Sequence, residues 1–210
     1  MESNNTSLLL VFTRNATLGK VKTRLAASIG DAEALNVHKA LMHQTIDQTI
    51  PCTCDKVVYY SDTLEANELF SKNGFRQEVQ SGEDLGSRMK NAFKAEFSHG
   101  YTSIVMIGTD CPELDEAIIT LAFKQLEVKD LVVGPALDGG YYLLGSSAMH
   151  AELFEGIEWS TSSVLSDTVQ IAERLSLSIA FTSEKQDIDT LSDLRSSNFG
   201  KVHFPHLMDQ

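Results

Sequence analysis

One short stretch, Ile104 to Leu114, constrains the fold more than any other part of the sequence. It reads Ile-Val-Met-Ile-Gly-Thr-Asp-Cys-Pro-Glu-Leu. Four consecutive apolar residues are too few for a buried helix and are typical of a strand buried on both faces of a parallel sheet. Gly108 ends that strand, and Pro112 opens an amphipathic pattern that predicts a helix with proline in its first turn. Asp110 is therefore expected at the edge where open α/β sheets bind their ligands.

Asp110 has two interpretations. Asp is a favoured N-cap, so its carboxylate can simply cap the following helix. If Pro112 is the first helical residue, however, the cap position falls on Cys111 and Asp110 lies one residue outside it. We therefore favour a role for Asp110 in binding a ligand or a metal ion.

The composition is that of an ordinary globular domain, with 42% hydrophobic and 22% charged residues. A net charge of −12 argues against a nucleic-acid or anionic-membrane surface, because both need a basic field. The apolar run Leu8 to Phe12 is too short for a signal peptide or a membrane span. The three cysteines, Cys52, Cys54 and Cys111, match no zinc or disulfide spacing. We therefore expect a reduced, cytoplasmic protein.

A window without acidic residues is unusual in so acidic a chain. From Ser3 to Gly30 there is no Asp or Glu, but there are four cations, Arg14, Lys20, Lys22 and Arg24. A strand, a turn and a helix from about Lys22 are expected here. Basic residues at the start of a helix oppose its dipole, so they suit a bound phosphate better than they suit stability. The glycine spacing does not match a Walker loop, and a solvated basic loop is the alternative.

Strands and helices alternate along the rest of the chain. This alternation predicts a single α/β domain over residues 1–210, with a mostly parallel sheet and one hairpin at Asp138-Gly139. The further strands are expected at Val57–Tyr60, Phe75–Val79, Leu131–Val133 and Ser178–Thr182. The further helices are expected at Asp31–Thr49, at Leu64–Lys72, from the loop at Gln80–Met89 to Phe97, at Ser162–Leu175 and after Asp189. Ser160 or Thr161 is expected to cap the helix at Ser162–Leu175.

Two connections contain more glycine than a plain turn needs. The loop from Gln80 to Met89 has two glycines, as expected where a ligand approaches the backbone closely; an ordinary loop capped by Asp84 or Ser87 is the alternative. In the stretch from Gly134 to Gly145, the hairpin signal alone does not explain Gly140 and two tyrosines.

A pair of carboxylates lies near the C terminus. In an extended segment Asp187 and Asp189 project to the same face. Thr190 and Asp193 resemble a capping pair, so the cap does not need Asp189. Asp189 is therefore a candidate for binding metal or substrate.

Taken together, six segments resemble a bacterial family that is provisionally assigned as glycosyltransferases. That family is related to the guanylyltransferase of coenzyme F420 synthesis and, more distantly, to the molybdenum-cofactor nucleotidyltransferases. In this chain the family's usual prolines before Gly19 are replaced by Ala16 and Leu18. The matching segments run in order over nearly the whole chain: Gly19–Leu25, Asp84–Met89, Gly108–Leu114, Gly134–Gly145, Trp159–Thr161 and Asp187–Thr190.

The resemblance implies a GT-A-like three-layer α/β/α sandwich with one hairpin insertion. It also implies a metal-dependent transferase, with Mg²⁺ or Mn²⁺ held by Asp110 and Asp189. Asp138 is expected to contact the sugar or the acceptor, or to act as a base. The nucleotide is expected at Arg14, Lys20, Lys22, Arg24, Gln80, Gly82, Leu85, Gly86 and Arg88, and the acceptor at Gly139, Gly140, Tyr141 and Trp159.

Three functions follow from the resemblance. Glycosyl transfer from a nucleotide-diphospho-sugar to an unknown small-molecule acceptor is favoured. Nucleotidyl transfer from a nucleoside triphosphate is the second, and nucleotide binding without turnover is the third. The sequence does not select the base, the sugar or the oligomeric state. A lone tryptophan is also about as often a core residue as a stacking one.

Overall fold

The computed structural model describes residues 6–64 and 69–208. Within them, seven strands and seven α-helices alternate along the chain. The strands are β1 (Ser7–Thr13), β2 (Asp55–Tyr60), β3 (Arg76–Val79), β4 (Ser103–Ile107), β5 (Leu131–Pro135), β6 (Tyr141–Ser146) and β7 (Ile179–Phe181). The helices are α1 (Thr23–Ile29), α2 (Asp31–Thr49), α3 (Leu85–Ser98), α4 (Glu116–Leu126), α5 (Val164–Arg174), α6 (Leu191–Ser196) and α7 (Asn198–His203), with short 3-10 turns at Ser71–Asn73, Ala151–Phe154 and Pro205–Leu207.

The strands form one sheet in the order β3-β2-β1-β4-β6-β5-β7. All neighbours pair in parallel except β6, which is antiparallel to both β4 and β5. β5 and β6 are joined by a tight hairpin at Asp138-Gly139, where the amide of Gly140 donates to the Asp138 carboxylate over 2.9 Å. The predicted fold class, a mostly parallel sheet with one hairpin insertion, is confirmed.

Helices cover both faces of the sheet, as in the three-layer sandwich that the resemblance implies. Alternate side chains of β1 pack into two different hydrophobic cores, because successive side chains in a strand point to opposite faces of the sheet. Leu9 and Val11 pack with α2 and α4, whereas Leu8 and Leu10 pack with α3 and α5. A third cluster joins α1 and α2 to α6, α7 and the last turn.

The chain differs from the sequence prediction at two helix starts. α4 begins at Glu116 and not at Pro112, because the side chain of Asp115 accepts from the amide of Ile118 and caps the helix there. The predicted cap at Cys111 is therefore wrong. α5 has Ser163 at its N-cap position and no side-chain cap from Ser160 or Thr161.

Other local predictions are confirmed. α2 has the predicted bounds. Thr190 and Asp193 form a reciprocal capping box at α6. Asp84 and Ser87 form another at α3, which was the alternative explanation of that loop. The helix expected over Leu64–Lys72 lies partly outside the described residues; at its end Ser71–Asn73 forms a 3-10 turn.

Candidate active site

A cavity of about 720 Å³ opens at the carboxyl edge of the sheet. It lies at the ends of β1 and β4 and the start of β6, which is the edge where the sequence predicts ligand binding. Most of the predicted site residues line it: Arg14, Lys22, Arg24, Gln80, Leu85, Asp110, Asp138, Gly140, Tyr141, Trp159 and Asp189.

The cavity has two chemically different parts. One part is charged and holds the cations of the β1–α1 loop together with four aspartates, Asp110, Asp138, Asp187 and Asp189. The other part is mostly apolar and lies between the sheet, α3 and α5. Its wall consists of Phe12, Leu85, Met89, Met106, Tyr141, Leu144, Trp159 and Val164. Such a division suits a ligand with a charged group beside a ring or an apolar group.

Lys22 is the centre of the charged part. Its ammonium lies 2.8 Å from Oδ1 of Asp110 and 3.2 Å from Oδ1 of Asp189, and it donates to the carbonyl of Ile188 over 2.6 Å. Its side chain is only 3% exposed. Burial alone would lower the pKa of Lys22, but Asp110 and Asp189 outweigh burial and raise that pKa above its usual value.

The backbone at Lys22 is unusual. Lys22 has φ 48, in the left-handed region, and stands at the N-cap position of α1 without a side-chain cap. A lysine in this conformation is uncommon, and such strain is often found at functional sites. Because α1 has only seven residues, its dipole contributes little, and binding of anions here depends on the cationic side chains.

Asp110 follows β4 and faces the cavity, with 42% of its side chain exposed there. The protein around it opposes ionisation, but the charge and hydrogen bond of Lys22, with His38 and Arg14 behind, hold its pKa below the usual aspartate value. Asp110 is therefore an ionised carboxylate at the floor of the cavity.

A backbone contact brings the C-terminal aspartates to the same place. The amide of Ile188 donates to the carbonyl of Asp110 over 2.9 Å, so the segment that contains Asp187 and Asp189 runs against the end of β4. Asp189 contacts Lys22 and lies 3.9 Å from the guanidinium of Arg24. Asp189 therefore already has two cationic partners.

Asp187 is different from Asp189. Its Oδ1 is buried and has no hydrogen-bond partner among the described residues. Burial, followed by the negative charge of Asp110, raises the pKa of Asp187 to about 7, although Lys22 acts in the opposite direction. An unpaired buried carboxylate in a cavity is typical of a functional site.

The loop after β1 is fixed by residues that the sequence reasoning did not select. His38, only 2% exposed on α2, donates through Nε2 to the carbonyl of Arg14 over 3.1 Å. Asn15 joins this loop to the end of β2, because its side chain donates to the carbonyl of Thr63 and accepts from the amide of Asp62. The side chain of Arg14 is thereby presented at the cavity.

Five predicted site residues lie outside the cavity wall. Lys20 points to solvent. Gly82 packs on the backbone of Arg88, whose guanidinium turns to the carbonyl of Gly82 over 3.1 Å. Gly139 packs on Ser162, where a Cβ atom would lie 2.2 Å from the carbonyl oxygen.

The fifth is Gly86, which the indole of Trp159 covers. A Cβ atom at Gly86 would lie 2.1 Å from Nε1 of Trp159. Gly86 is thus required for packing of the cavity wall and does not itself face the cavity. Trp159 lines the apolar part of the cavity from a position over the first turn of α3.

Gln80 lines the cavity, but its side chain is already used. Its amide group donates to the carbonyls of Tyr59 and Thr13 over 3.0 and 3.3 Å, so it ties the ends of β2 and β1 together. Thr13 and Thr109 join β1 to β4 in the same way, with their hydroxyls 3.3 Å apart.

Sequence reasoning missed several lining residues, namely Thr13, His38, Thr109, Tyr142, Thr161 and, as an assigned site residue, Asp187. For Asp187 a signal was present, because Asp187 and Asp189 share a face of the segment. His38 gave no signal, since a histidine in a long helix is usually structural.

The donor set fits a hard divalent cation that arrives with a phosphate ligand. Among residues 6–64 and 69–208, no three His, Cys, Asp or Glu side chains converge to hold a metal ion by themselves. Asp110 offers an exposed carboxylate and Asp187 an unpaired oxygen. One or two carboxylates completed by substrate phosphates and water are the usual ligands of Mg²⁺.

The described helices include none that is both long and apolar enough to cross a membrane.

Comparison with solved structures places the chain in the predicted fold group. It is similar to a protein of Desulfovibrio desulfuricans G20 that is provisionally described as a nucleotide-diphospho-sugar transferase, with 28% identity, a TM-score of 0.87, and coverage of 95% of this chain and 89% of that chain. A nucleotidyl transferase from Methanothermobacter thermautotroptrophicus has 13% identity and a TM-score of 0.65, over 98% of this chain and 99% of that chain. A cytidylyltransferase from Leptospira borgpetersenii has 15% identity and a TM-score of 0.60, over 98% and 90%.

These descriptions agree with the expectation of a transferase enzyme. No curated protein sequence matches the chain. Residues 45–161 match the model of a family described as uncharacterized protein conserved in bacteria, DUF2064. Because this match spans more than half of the chain, the protein belongs to the DUF2064 family.

Proposed function

We propose that this protein transfers a glycosyl group from a nucleotide-diphospho-sugar to a small-molecule acceptor, with the help of a divalent cation. The observation that carries the proposal is the joining, in one cavity, of three cations, an exposed carboxylate, an unpaired carboxylate and an aromatic wall. The structural neighbour from Desulfovibrio desulfuricans, described as an enzyme of this kind, supports it.

The cations of the β1–α1 loop would bind the donor's diphosphate. Arg14 and Arg24 line the cavity with exposed side chains, and Lys22 lies between them at its floor. Four aspartates lie beside these three cations in the cavity, so the bound divalent cation would supply the further positive charge that a diphosphate requires. Arg14 and Arg24 can also offer two parallel N–H donors to a phosphate.

Asp110 and Asp187 would hold the cation. This assignment replaces Asp189 by Asp187. Asp189 has two cationic partners, Lys22 and Arg24, whereas Asp187 has an unpaired oxygen. Asp110 contacts Lys22 but not Arg24. When bound, Mg²⁺ or Mn²⁺ would stabilise the negative charge that develops on the leaving diphosphate.

The aromatic part of the cavity would hold the transferred sugar and the acceptor. Trp159 and Tyr141 form its wall, and Asp138 lies at the tip of the β5–β6 hairpin beside it. Oδ1 of Asp138 accepts from the amide of Gly140, which orients the carboxylate. In that orientation Asp138 is a candidate to contact the acceptor hydroxyl or accept its proton.

Nucleotidyl transfer is the second candidate. It uses the same carboxylates and cations, but the donor is a nucleoside triphosphate and pyrophosphate leaves. The feature that favours it is the number of cations, since three positive side chains suit a triphosphate as well as a diphosphate.

A thermal-shift panel would separate the candidates. The protein would be heated with UDP, GDP, UDP-sugars, GDP-sugars, CTP and GTP, each with Mn²⁺, with Mg²⁺ or with a chelator. A ligand at a hundred times its Kd adds about 2.7 kcal/mol of stability, which moves the midpoint by roughly 2–4 °C for each kcal/mol in a domain of this size.

A metal-dependent shift with a diphosphate or its sugar conjugate is the expected result and names the donor. A shift with a triphosphate alone would instead favour nucleotidyl transfer. No shift with any nucleotide would contradict both candidates. If a nucleotide shifts the midpoint but no assay detects a product, the protein binds nucleotide without catalysing a reaction.

A further inference from the structure

The ammonium of Lys22 occupies a cage of three oxygen atoms. They are Oδ1 of Asp110, Oδ1 of Asp189 and the carbonyl oxygen of Ile188, at 2.8, 3.2 and 2.6 Å. An ammonium has three N–H donors, so each donor of Lys22 has an acceptor. A cage made only of oxygen atoms is also the environment that Mg²⁺ and Mn²⁺ prefer.

We propose that Lys22 is an internal cation that competes with the free divalent cation for Asp110, and that it yields this carboxylate when nucleotide phosphate binds. The inference rests on the proposed function, in which Asp110 holds the metal. It adds an order of binding to the proposed function, because the divalent cation then binds tightly only together with a nucleotide.

The charges of the residues around Asp110 support this competition. Asp110 and Asp189 share the positive charge of Lys22, and Arg24 lies beside Asp189. A free divalent cation that approaches Asp110 meets a carboxylate already paired and an ammonium in contact with it. Repulsion between these cations is little screened because the side chain of Lys22 is 3% exposed.

Nucleotide phosphate changes that balance. A phosphate group gives Lys22 a new anionic partner, and lysine has a flexible stem with a compact charge that can change partners. Lys22 has a left-handed backbone, with φ of 48°, and its side chain lines the cavity in which the phosphate would bind. Asp110 then becomes available to the divalent cation that accompanies the phosphate.

Mn²⁺ binding in the absence of nucleotide tests the proposal. Free Mn²⁺ would be measured by electron paramagnetic resonance in titrations of the chelator-treated wild type, Lys22→Met and Lys20→Met. Lys20→Met is the matched control, because it removes the same charge from the same loop but is exposed and lies outside the cavity. We expect Lys22→Met to bind Mn²⁺ at least about tenfold more tightly than the wild type, within the usual range of coupling between sites, and Lys20→Met to resemble the wild type.

The same titration with the nucleotide identified by the thermal-shift panel gives the reciprocal result. In the wild type the nucleotide should tighten Mn²⁺ binding about tenfold or more, and Mn²⁺ should tighten nucleotide binding by the same factor. In Lys22→Met this coupling should shrink, while nucleotide alone should bind more weakly. Equal Mn²⁺ affinity of the wild type and Lys22→Met would overturn the proposal.

A second variant and a second measurement test the proposal in case Lys22→Met does not fold. Lys22→Gln removes the charge and keeps a polar N–H donor, on a side chain that is one bond shorter. Its melting temperature should fall in the presence of chelator and rise with Mn²⁺ alone, whereas the wild type should respond little to Mn²⁺ alone. If no nucleotide binds to the wild type, the proposed function fails; the nucleotide-free Mn²⁺ comparison still decides whether Lys22 excludes the metal.

Discussion

The ammonium of Lys22, before α1, and the carboxylate of Asp110, after β4, lie 2.8 Å apart on the floor of the cavity. The contact exists because β1 and β4 are parallel neighbours in the sheet, so the loops that follow them emerge at the same edge. Ile188 adds a third segment to this contact through its hydrogen bonds to both loops. The charged site is therefore a product of sheet topology.

Asp110→Asn should abolish the metal-dependent part of nucleotide binding. The amide keeps the shape of the carboxylate but loses its charge, so a divalent cation loses its exposed ligand. The fold should persist, with a loss of at most about 2 kcal/mol, because Lys22 keeps Asp189 and the carbonyl of Ile188 as partners. Thermal shifts with Mn²⁺ and nucleotide would be compared with those of the wild type.

Asp115→Asn is the control for that experiment. Asp115 is a neighbouring aspartate that caps α4, and Asn is about as good an N-cap. This variant should retain the full metal-dependent shift. If Asp110→Asn retained it as well, Asp110 would have no part in metal binding.

Asp187→Asn should stabilise the protein, by about 1 kcal/mol, because it removes a buried charge that lacks a partner. The pKa of Asp187 is raised from 3.8 to about 7, so its ionisation disfavours folding as pH rises through this range. The gain should therefore be largest above pH 7 and vanish below about pH 4. Urea unfolding at several pH values would measure it.

Asp189→Asn offers a comparison of opposite sign. Its carboxylate is paired with Lys22 and Arg24, so its loss should destabilise the protein, by roughly 1 kcal/mol given its partial exposure. A destabilising effect of Asp187→Asn at neutral pH would mean that Asp187 has a partner in solution.

The sequence predicts the fold well because its signals are local. Apolar runs of strand length, separated by helical periodicity, give the alternation of elements, and Asp138-Gly139 gives the hairpin between β5 and β6. Helix starts are less certain, since Pro112 and Asp115 are both acceptable signals. The side-chain cap of Asp115 decides between them.

The cavity is only partly predictable for a different reason. Motifs identify residues near the carboxyl edge, but the partner of each side chain depends on contacts between distant segments. The sequence therefore predicts Lys22 as a phosphate ligand, whereas in the structure its ammonium contacts the carboxylate of Asp110. The sequence pattern selects Asp189 and gives Asp187 no role, but the structure shows that Asp189 contacts Lys22 and that Asp187 has the unpaired oxygen.

Glu96, which does not line the cavity, should make the free energy of unfolding depend on pH. Its side chain is fully buried and accepts from Arg76, Tyr59 and His99 over 2.5, 2.6 and 3.1 Å. Burial opposes its ionisation, but these donors outweigh burial and hold the pKa of Glu96 below the usual glutamate value. Its contribution should be present above the ordinary glutamate pKa and be lost as pH falls through the lowered value.

Glu96→Gln should cost roughly 2 kcal/mol at pH 7, less than a fully buried ion pair because Arg76 is 38% exposed. Glu78→Gln is the matched control, since Glu78 contacts the same arginine but is 43% exposed and should cost less than about 1 kcal/mol. Urea unfolding should show the gap between wild type and Glu96→Gln narrowing at pH 3. A gap that is constant with pH would mean that the carboxylate's charge is not what stabilises this cluster.

Gly86→Ala should loosen the aromatic wall of the cavity. In an open helix this change is favourable by about 1 kcal/mol, but here the new methyl group would lie 2.1 Å from Nε1 of Trp159. The indole must move, so we expect a net loss of about 1–3 kcal/mol from overpacking. Trp159 is the only tryptophan in the sequence, so its fluorescence reports the displacement directly, as a red shift of the emission.

Gly108→Ala is the control. Its Cβ atom would have only the amide nitrogen of Asp110 within 4.0 Å, so this variant should leave the emission unchanged. A Gly86→Ala protein that is more stable than the wild type, with the same emission, would show that Trp159 does not pack on α3.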